Sequence, residues 1–160
     1  MPMEILVLGV GNILLSDEGA GVRVVEGLLR RPDLPRQVQV IDGGTMGLDL
    51  LPYLDGKSHL FIVDAIRSQE DPGFLLVEEL ADPPAYFRQK ISPHQIGLSE
   101  LLAVAALQGC LPPSITLFGI VPLRLSTGME LSEPVAAAVD KMIPLVMDHL
   151  AALGEGQLLH

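Results

Sequence analysis

Tryptophan is absent from the sequence, and two tyrosines and four phenylalanines are its only aromatic residues, although 49% of the chain is hydrophobic. The core is therefore expected to be aliphatic. There is one cysteine, Cys110, which excludes an intramolecular disulfide and any zinc cluster built from cysteines. A single free thiol fits a reducing compartment, and we expect the protein to be cytoplasmic.

Positive charge is also scarce: the chain has 10 Lys and Arg residues against 20 Asp and Glu residues, which gives a formal net charge of −10. A chain this acidic repels nucleic-acid phosphates and anionic membranes, so neither is expected as a partner. No basic segment precedes the apolar residues 5–15, and Gly109, Pro112 and Pro113 interrupt the apolar stretch 101–123. We therefore expect no targeting segment and no membrane span.

Short aliphatic runs alternate with helical segments along the chain. The expected strands are residues 4–11, 37–42, 59–66, 73–80 and 114–121, and the expected helices are 17–31, 46–54, 93–108 and 132–152. This alternation predicts an α/β fold with helices on both faces of a sheet. The length suits a single domain, residues 1–153, followed by a flexible tail, residues 154–160, after a helix stop at Gly154.

Topology predicts where a ligand should bind. With right-handed crossovers, the second and third strands lie on opposite sides of the first, and this leaves a crevice beyond the carboxyl ends of the strands. Glu18 follows the first strand and Asp64 lies near the end of the third. Both side chains are therefore expected to face that crevice.

The turn after the first strand, "GVGNILLSDEG", has only part of a nucleotide-binding pattern. Leu14 occupies the place of the third glycine in G-x-G-x-x-G, and no Gly-Lys-Ser/Thr follows. Asp17 and Glu18 would repel a pyrophosphate, so no nucleotide is expected. The plain alternative is that the glycines turn the chain and Asp17 caps the helix, which leaves Glu18 free.

Asp64 interrupts the aliphatic run "IVDAI", where a carboxylate is costly unless it is paired or bound to a metal. Its alternative role is to cap the following loop. In "SPHQ", Ser92 and Gln95 match a capping box, which puts His94 in the first turn of a helix. The helix dipole there favours the neutral imidazole, the form that binds metals, although a lone histidine is often only structural.

Glu18, Asp64 and His94 together supply two carboxylates and an imidazole. This set suits a borderline divalent cation and leaves coordination positions open, unlike a closed structural zinc site. The acidic end of the glycine turn is thus expected to face a cation.

The sequence resembles the [NiFe]-hydrogenase maturation endopeptidases over nearly its whole length. The resemblance rests on six segments in the family's order: "GVGNILLSDEGAGV", "DGGTMGLDLL", "IVDAI", "SPHQIGLSELLAVAALQG", "LFGIVP" and "LSEPVAAAV". It implies an enzyme that removes a C-terminal extension from a hydrogenase large-subunit precursor after nickel insertion. It also implies a twisted five-stranded, mostly parallel sheet in which the strand 73–80 is antiparallel.

The resemblance implies roles for individual residues. Glu18, Asp64 and His94 correspond to the family's metal-contacting residues, and the segment Asp42–Thr45 is associated with substrate recognition or cleavage. Gly43, Gly44 and Thr45 are therefore expected to bind substrate, and Asp42 is a candidate catalytic residue. The alternative for this segment is a plain turn, made by two glycines, into the next helix.

Familiar protease signatures, His-Glu-x-x-His and Gly-x-Ser-x-Gly, are missing. The expected mechanism therefore uses nickel already carried by the precursor, with a water activated by that ion or by Asp42. Other divalent ions are expected to occupy the site of the isolated protein. Two rival functions remain open: a non-catalytic metal-binding chaperone for a metalloenzyme precursor, and a nucleotide-binding α/β module.

Overall fold

Five strands form one sheet in the computed structural model, which describes residues 3–90 and 92–158. The strands are β1 (Ile5–Val10), β2 (Val38–Gly44), β3 (His59–Ala65), β4 (Leu75–Glu79) and β5 (Ser114–Ile120). Their order is β2-β1-β3-β5-β4. The first four in that order are parallel, and β4 pairs with β5 in the antiparallel direction.

The helices cover both faces of this sheet. They are α1 (Ala20–Leu29), α2 (Leu51–Leu54), α3 (Pro83–Arg88), α4 (Pro93–Leu107) and α5 (Glu133–Leu158), and single 3₁₀ turns at Ser16–Gly19 and Leu48–Leu50 precede α1 and α2. Helices α1 and α5 pack on one face, and α2, α3 and α4 pack on the other. The predicted α/β class, the five strands and the antiparallel direction of β4 are confirmed.

Side chains that alternate between the two faces of the strands divide the hydrophobic core into two halves, one on each face of the sheet. In β3, Phe61 and Val63 point towards α1 and α5, whereas Leu60 and Ile62 point towards α4. Both sets are almost fully buried, as expected for strands covered on both faces. The next residue of the second set is Asp64, so its side chain lies on the α4 face of the sheet.

The antiparallel strand β4 is an edge of the sheet. Three consecutive exposed residues, Val77, Glu78 and Glu79, make up most of this short strand. Acidic side chains on a short edge strand disfavour pairing with another chain.

Two expected helix boundaries are wrong. The segment 17–31 does not begin as an α-helix, because Ser16–Gly19 form a 3₁₀ turn before α1. The last helix does not stop at Gly154 but continues to Leu158, and the rest of the expected tail, residues 159–160, lies outside the described residues. Helix α3 was not predicted, since its two leading prolines look like a loop; Asp82 caps it by accepting the N–H of Ala85 at 3.2 Å.

No helix in the described ranges is long and apolar enough to cross a membrane. This agrees with the interrupted apolar stretch 101–123, of which only the first part is helical.

Asp17 joins the glycine turn to the loop 121–132, which connects β5 to α5. Its buried carboxylate accepts the backbone N–H groups of Leu123 and Arg124, both at 2.9 Å, and that of Ser132 at 2.8 Å. The Ser132 hydroxyl donates to it at 2.7 Å. The alternative in which Asp17 caps the helix is therefore wrong, because all of these partners lie more than a hundred positions away in the sequence.

The Asp17 carboxylate is ionised despite its burial. Burial is the strongest influence and raises the pKa of Asp17, but the hydrogen bonds from Arg124, Ser132 and Leu123 together outweigh it and hold the pKa below its usual value. Four donors thus converge on one charged acceptor, which is the strong class of hydrogen bond.

We predict that Asp17→Asn lowers the free energy of unfolding by about 2–4 kcal/mol, because an amide removes the charge and directs an NH₂ group at an N–H donor. The urea midpoint measures this change. Asp33→Asn is the matched control, since Asp33 forms a solvent-exposed pair with Arg31 at 2.8 Å, and loss of such a pair should leave the urea midpoint almost unchanged. Equal losses in the two variants would contradict the anchoring role of Asp17.

Candidate functional site

Asp64 is fully buried at the carboxyl end of β3. Strand β3 lies between β1 and β5 and is parallel to both. Asp64 is paired with Gly119 of β5. A charged group in this position needs partners, and α4 supplies them from the face towards which Asp64 points.

Glu18 reaches the same edge of the sheet through the glycine turn after β1. Gly11 has a backbone φ of 131°, a conformation that favours glycine, and a Cβ there would overlap the carbonyl oxygen of Glu18. The next residue after Asp17 is Glu18, so the anchoring of Asp17 also fixes the backbone of Glu18. Only 13% of the Glu18 side chain is exposed.

His94 lies between these two carboxylates in the first turn of α4. Its Nδ1 is 2.8 Å from Glu18 Oε1, and its Nε2 is 3.0 Å from Asp64 Oδ1 and 3.1 Å from Asp64 Oδ2. The imidazole is 2% exposed. The three residues proposed from the sequence therefore converge at one place, with the two carboxylates on opposite nitrogens of the ring.

The two carboxylates determine the protonation of the imidazole. Burial lowers the pKa of His94 and is the strongest single influence, but the hydrogen bonds and charges of Asp64 and Glu18 together outweigh it, so the pKa of His94 lies above its usual value. Burial raises the pKa of Asp64, against the hydrogen bonds and charge of its partners. The preference for a neutral imidazole expected from the helix dipole is outweighed here.

The capping box expected at the start of α4 does not form. The Ser92 hydroxyl makes no side-chain cap and lies 2.6 Å from His94 Nδ1 and 3.4 Å from Glu18 Oε1. Gln95 Nε2 donates to Asp64 Oδ2 at 3.0 Å and to the Ala65 carbonyl at 3.2 Å. Gln95 therefore orients the Asp64 carboxylate, a role that the sequence pattern concealed because it predicts a local bond to the helix end.

Asp42 lies at the same edge of the sheet but apart from this cluster. It is paired with Gly9, which faces α1, whereas Asp64 faces α4. Because β1 separates β2 from β3, the backbones of Asp42 and Asp64 are about 10 Å apart. The exposed Asp42 side chain accepts the N–H of Gly44 at 2.9 Å, as in an Asx turn.

The segment that follows Asp42 is tied to the glycine turn. Gly43 is buried, with Leu8 and Leu50 where a side chain would begin. Gly44 has a φ of 49° and accepts the N–H of Gly11 at 2.8 Å. Thr45 is exposed. The geometry thus joins this segment to the backbone that carries Glu18.

Among the residues that the structure describes, no group of three or more His, Cys, Asp or Glu side chains is arranged as a ready metal site. The reason is visible in the cluster, since Glu18 and Asp64 each hydrogen-bond a different nitrogen of His94. The donors have the chemistry that a borderline divalent ion requires. Sharing one ion requires that the imidazole turn or that Glu18 change its rotamer.

A cavity of about 480 Å³ opens beside the cluster, and Glu18, Ser92, His94 and Gln95 form part of its wall. The cluster is therefore within reach of a ligand from outside, although Asp64 itself is buried behind His94. Cavities of this size hold small ligands or short peptide segments.

Comparison with known proteins identifies relatives over most of the chain. The family model described as hydrogenase maturation protease matches residues 22–149. Hydrogenase 2 maturation protease of Escherichia coli is 44% identical over 154 residues, which cover 96% of this chain and 92% of that protein. The hydrogenase expression/formation protein HupD of Rhodobacter capsulatus is 40% identical over 96% of this chain and 74% of its own length.

Solved structures agree with these relatives. The hydrogenase maturating endopeptidase HybD from E. coli has a TM-score of 0.87 at 43% identity, covering 96% of this chain and 94% of that one. The [NiFe] hydrogenase maturation protease HybD from Thermococcus kodakarensis has a TM-score of 0.76 at 29% identity, covering 91% and 98%. With a matching family model and relatives above 40% identity over nearly its full length, this chain belongs to the hydrogenase maturation protease family and is a peptidase.

Proposed function

We propose that this peptidase removes a C-terminal extension from a [NiFe]-hydrogenase large-subunit precursor after nickel insertion, and that Glu18, Asp64 and His94 recognise the nickel. The observation that carries this proposal is the convergence of two carboxylates on one imidazole beside an open cavity. Nickel belongs to the substrate in this scheme. Family membership supports the processing of a hydrogenase precursor, and the donor chemistry supports the recognition of its metal.

The cluster suits an ion that arrives with its substrate. The imidazole of His94 pairs with both carboxylates, so two negative charges are not left unpaired in a mostly buried site. A cation brought by the precursor takes over this role by binding the carboxylates and a ring nitrogen. Without a thiolate, three such ligands hold a metal only modestly, and we propose that other divalent ions added to the isolated protein bind weakly at the same residues.

Hydrolysis further requires a water and a base. Glu18 and Asp64 are committed to His94, whereas Asp42 is exposed and uses only Oδ1, in the turn with Gly44. We assign the general base to Asp42, and the substrate backbone to Gly43, Gly44 and Thr45. Their place at the carboxyl edge of the sheet, joined to the glycine turn, supports this assignment.

The direct test compares nickel-loaded with nickel-free precursor. We expect the unaltered protein to shorten only the loaded form, because the ion identifies a finished active site and positions the scissile bond. The mass of the precursor before and after incubation measures the outcome, with heat-inactivated protein as the control. Equal cleavage of both forms would overturn the use of nickel in recognition, and cleavage of neither form would overturn the processing function.

We predict that Glu18→Gln lowers kcat/KM for the loaded precursor by at least about 100-fold, since even groups behind metal ligands commonly contribute 10–100-fold. The change is nearly isosteric and lies at a partly exposed side chain, so the thermal midpoint should move by only a few degrees. Glu26→Gln is the matched control, because Glu26 pairs with Arg23 on α1. Unchanged turnover in Glu18→Gln would remove this residue from the site.

Asp64→Asn and His94→Ala are less direct tests of the same site. Each change breaks a buried ion pair, which typically costs about 3–5 kcal/mol. Their stability therefore has to be measured together with their activity, and Glu18→Gln remains the variant in which the two effects separate.

We predict that Asp42→Asn lowers kcat by about 10²–10⁴-fold while precursor binding persists, as for loss of a general base. The asparagine Oδ1 can still accept the N–H of Gly44, so this variant removes the charge but keeps the turn. Single-turnover cleavage and equilibrium binding separate the two steps. A kcat within twofold of the unaltered protein would show that Asp42 serves only the turn.

A further inference from the structure

The wall of the cavity beside the cluster combines groups of opposite charge. Glu18 and His94 belong to the nickel-recognition site proposed above, and Arg67 and Lys90 are the two Lys or Arg residues in the cavity wall as described. Ala65, Pro122 and Leu125 add apolar surface to the same wall. A ligand that carries both a cation and an anion fits this combination of charges.

Both basic residues are placed there by the elements that build the cluster. Arg67 follows β3, three residues after Asp64, and is exposed. Lys90 lies between α3 and α4, four residues before His94, and its Nζ is 4.6 Å from the centroid of the Tyr86 ring. The ring holds the ammonium group at the cavity by a cation–π contact.

Within the described part of the chain, neither Arg67 nor Lys90 forms an ion pair with a carboxylate. Among the Lys and Arg residues, Arg23, Arg31 and Lys57 form the described ion pairs, and what distinguishes Arg67 and Lys90 from the others without a pair is that both line the cavity. The two cationic side chains are therefore available to bind an anionic group of a ligand. The negative net charge of the protein repels anions in general, so an anion needs further contacts in the cavity in order to bind there.

We propose that this cavity binds the precursor segment next to the scissile bond, and that Arg67 and Lys90 pair with an acidic side chain of the C-terminal extension. The identity of the bound chain rests on the proposed function, and the pairing rests on the cavity and its charges. Nickel at Glu18, Asp64 and His94, together with a carboxylate at Arg67 and Lys90, would fix the direction in which the chain lies. Arg67 and Lys90 are specificity residues in this scheme and take no part in the bond cleavage.

The test replaces both cations by neutral side chains, in Arg67→Gln/Lys90→Gln. Removing an exposed or partly exposed ion pair typically weakens binding about two- to fivefold, so the double variant should raise KM for the loaded precursor about tenfold. The value of kcat should stay within twofold, because the cluster is untouched. The control is Arg30→Gln/Lys141→Gln, which makes the same change in net charge at exposed residues of the α1 and α5 face.

Binding is measured separately from cleavage, with a fluorescent peptide that carries the sequence of the extension from the same organism's large-subunit precursor. Its Kd should rise about tenfold in Arg67→Gln/Lys90→Gln, and added NaCl should weaken binding to the unaltered protein more than to this variant. A peptide with its acidic residues changed to lysine should bind better to Arg67→Glu/Lys90→Glu than to the unaltered protein.

A C-terminally amidated peptide identifies the source of the carboxylate. Binding equal to that of the free acid supports an acidic side chain, whereas a tenfold loss on amidation would overturn that assignment in favour of the chain terminus. The proposal for the cavity would be overturned if the KM and Kd of Arg67→Gln/Lys90→Gln were within twofold of those of the control, Arg30→Gln/Lys141→Gln. Failure of the unaltered protein to cleave any precursor would instead refute the proposed function, and the peptide Kd would still decide on Arg67 and Lys90.

Discussion

The buried carboxylate of Asp17 is the constraint on which the geometry of the site depends. It gathers hydrogen bonds from both ends of the loop 121–132 and so holds that loop against the glycine turn. Ser16, the residue before it, has a φ of 53° and donates its hydroxyl to the Ser126 carbonyl at 2.7 Å. This left-handed conformation at a non-glycine residue costs free energy, and the contacts with the loop offset it. Glu18 is thereby presented to His94 on a rigid backbone.

A rigid Glu18 matters because the rest of the cluster is buried. Asp64 and His94 have little contact with solvent, and Gln95 and Ser92 leave them few alternative arrangements. The backbone positions of these groups are therefore fixed by the fold, and the orientation of the imidazole or the rotamer of Glu18 is what has to change for all three to share a ligand. Glu18 is the most exposed of the three side chains.

Much of this arrangement follows from the sequence, since aliphatic runs identify the strands and right-handed crossovers bring Glu18 and Asp64 to one edge. The helix start at Pro93 then brings His94 to the same edge. What the sequence concealed are tertiary bonds that replace local ones. Asp17 and Gln95 match local capping patterns, but their partners lie far away in the chain or on another element. A pattern of four residues contains no information on such distant partners. Local sequence also misplaced the end of α5, which continues past Gly154 to Leu158.

The acidic edge strand β4 has a consequence for how this peptidase can hold a protein substrate. Many proteins that bind extended peptides do so by adding the peptide as one more strand to an exposed sheet edge. Strand β4 has only five residues, and the last two, Glu78 and Glu79, are exposed and negatively charged. An added strand could therefore form few main-chain hydrogen bonds there and would meet unfavourable charge. Main-chain pairing at this edge is therefore disfavoured. A protein substrate then has to be held by contacts with side chains, or at the opposite edge strand β2, and not by lengthening the sheet at β4.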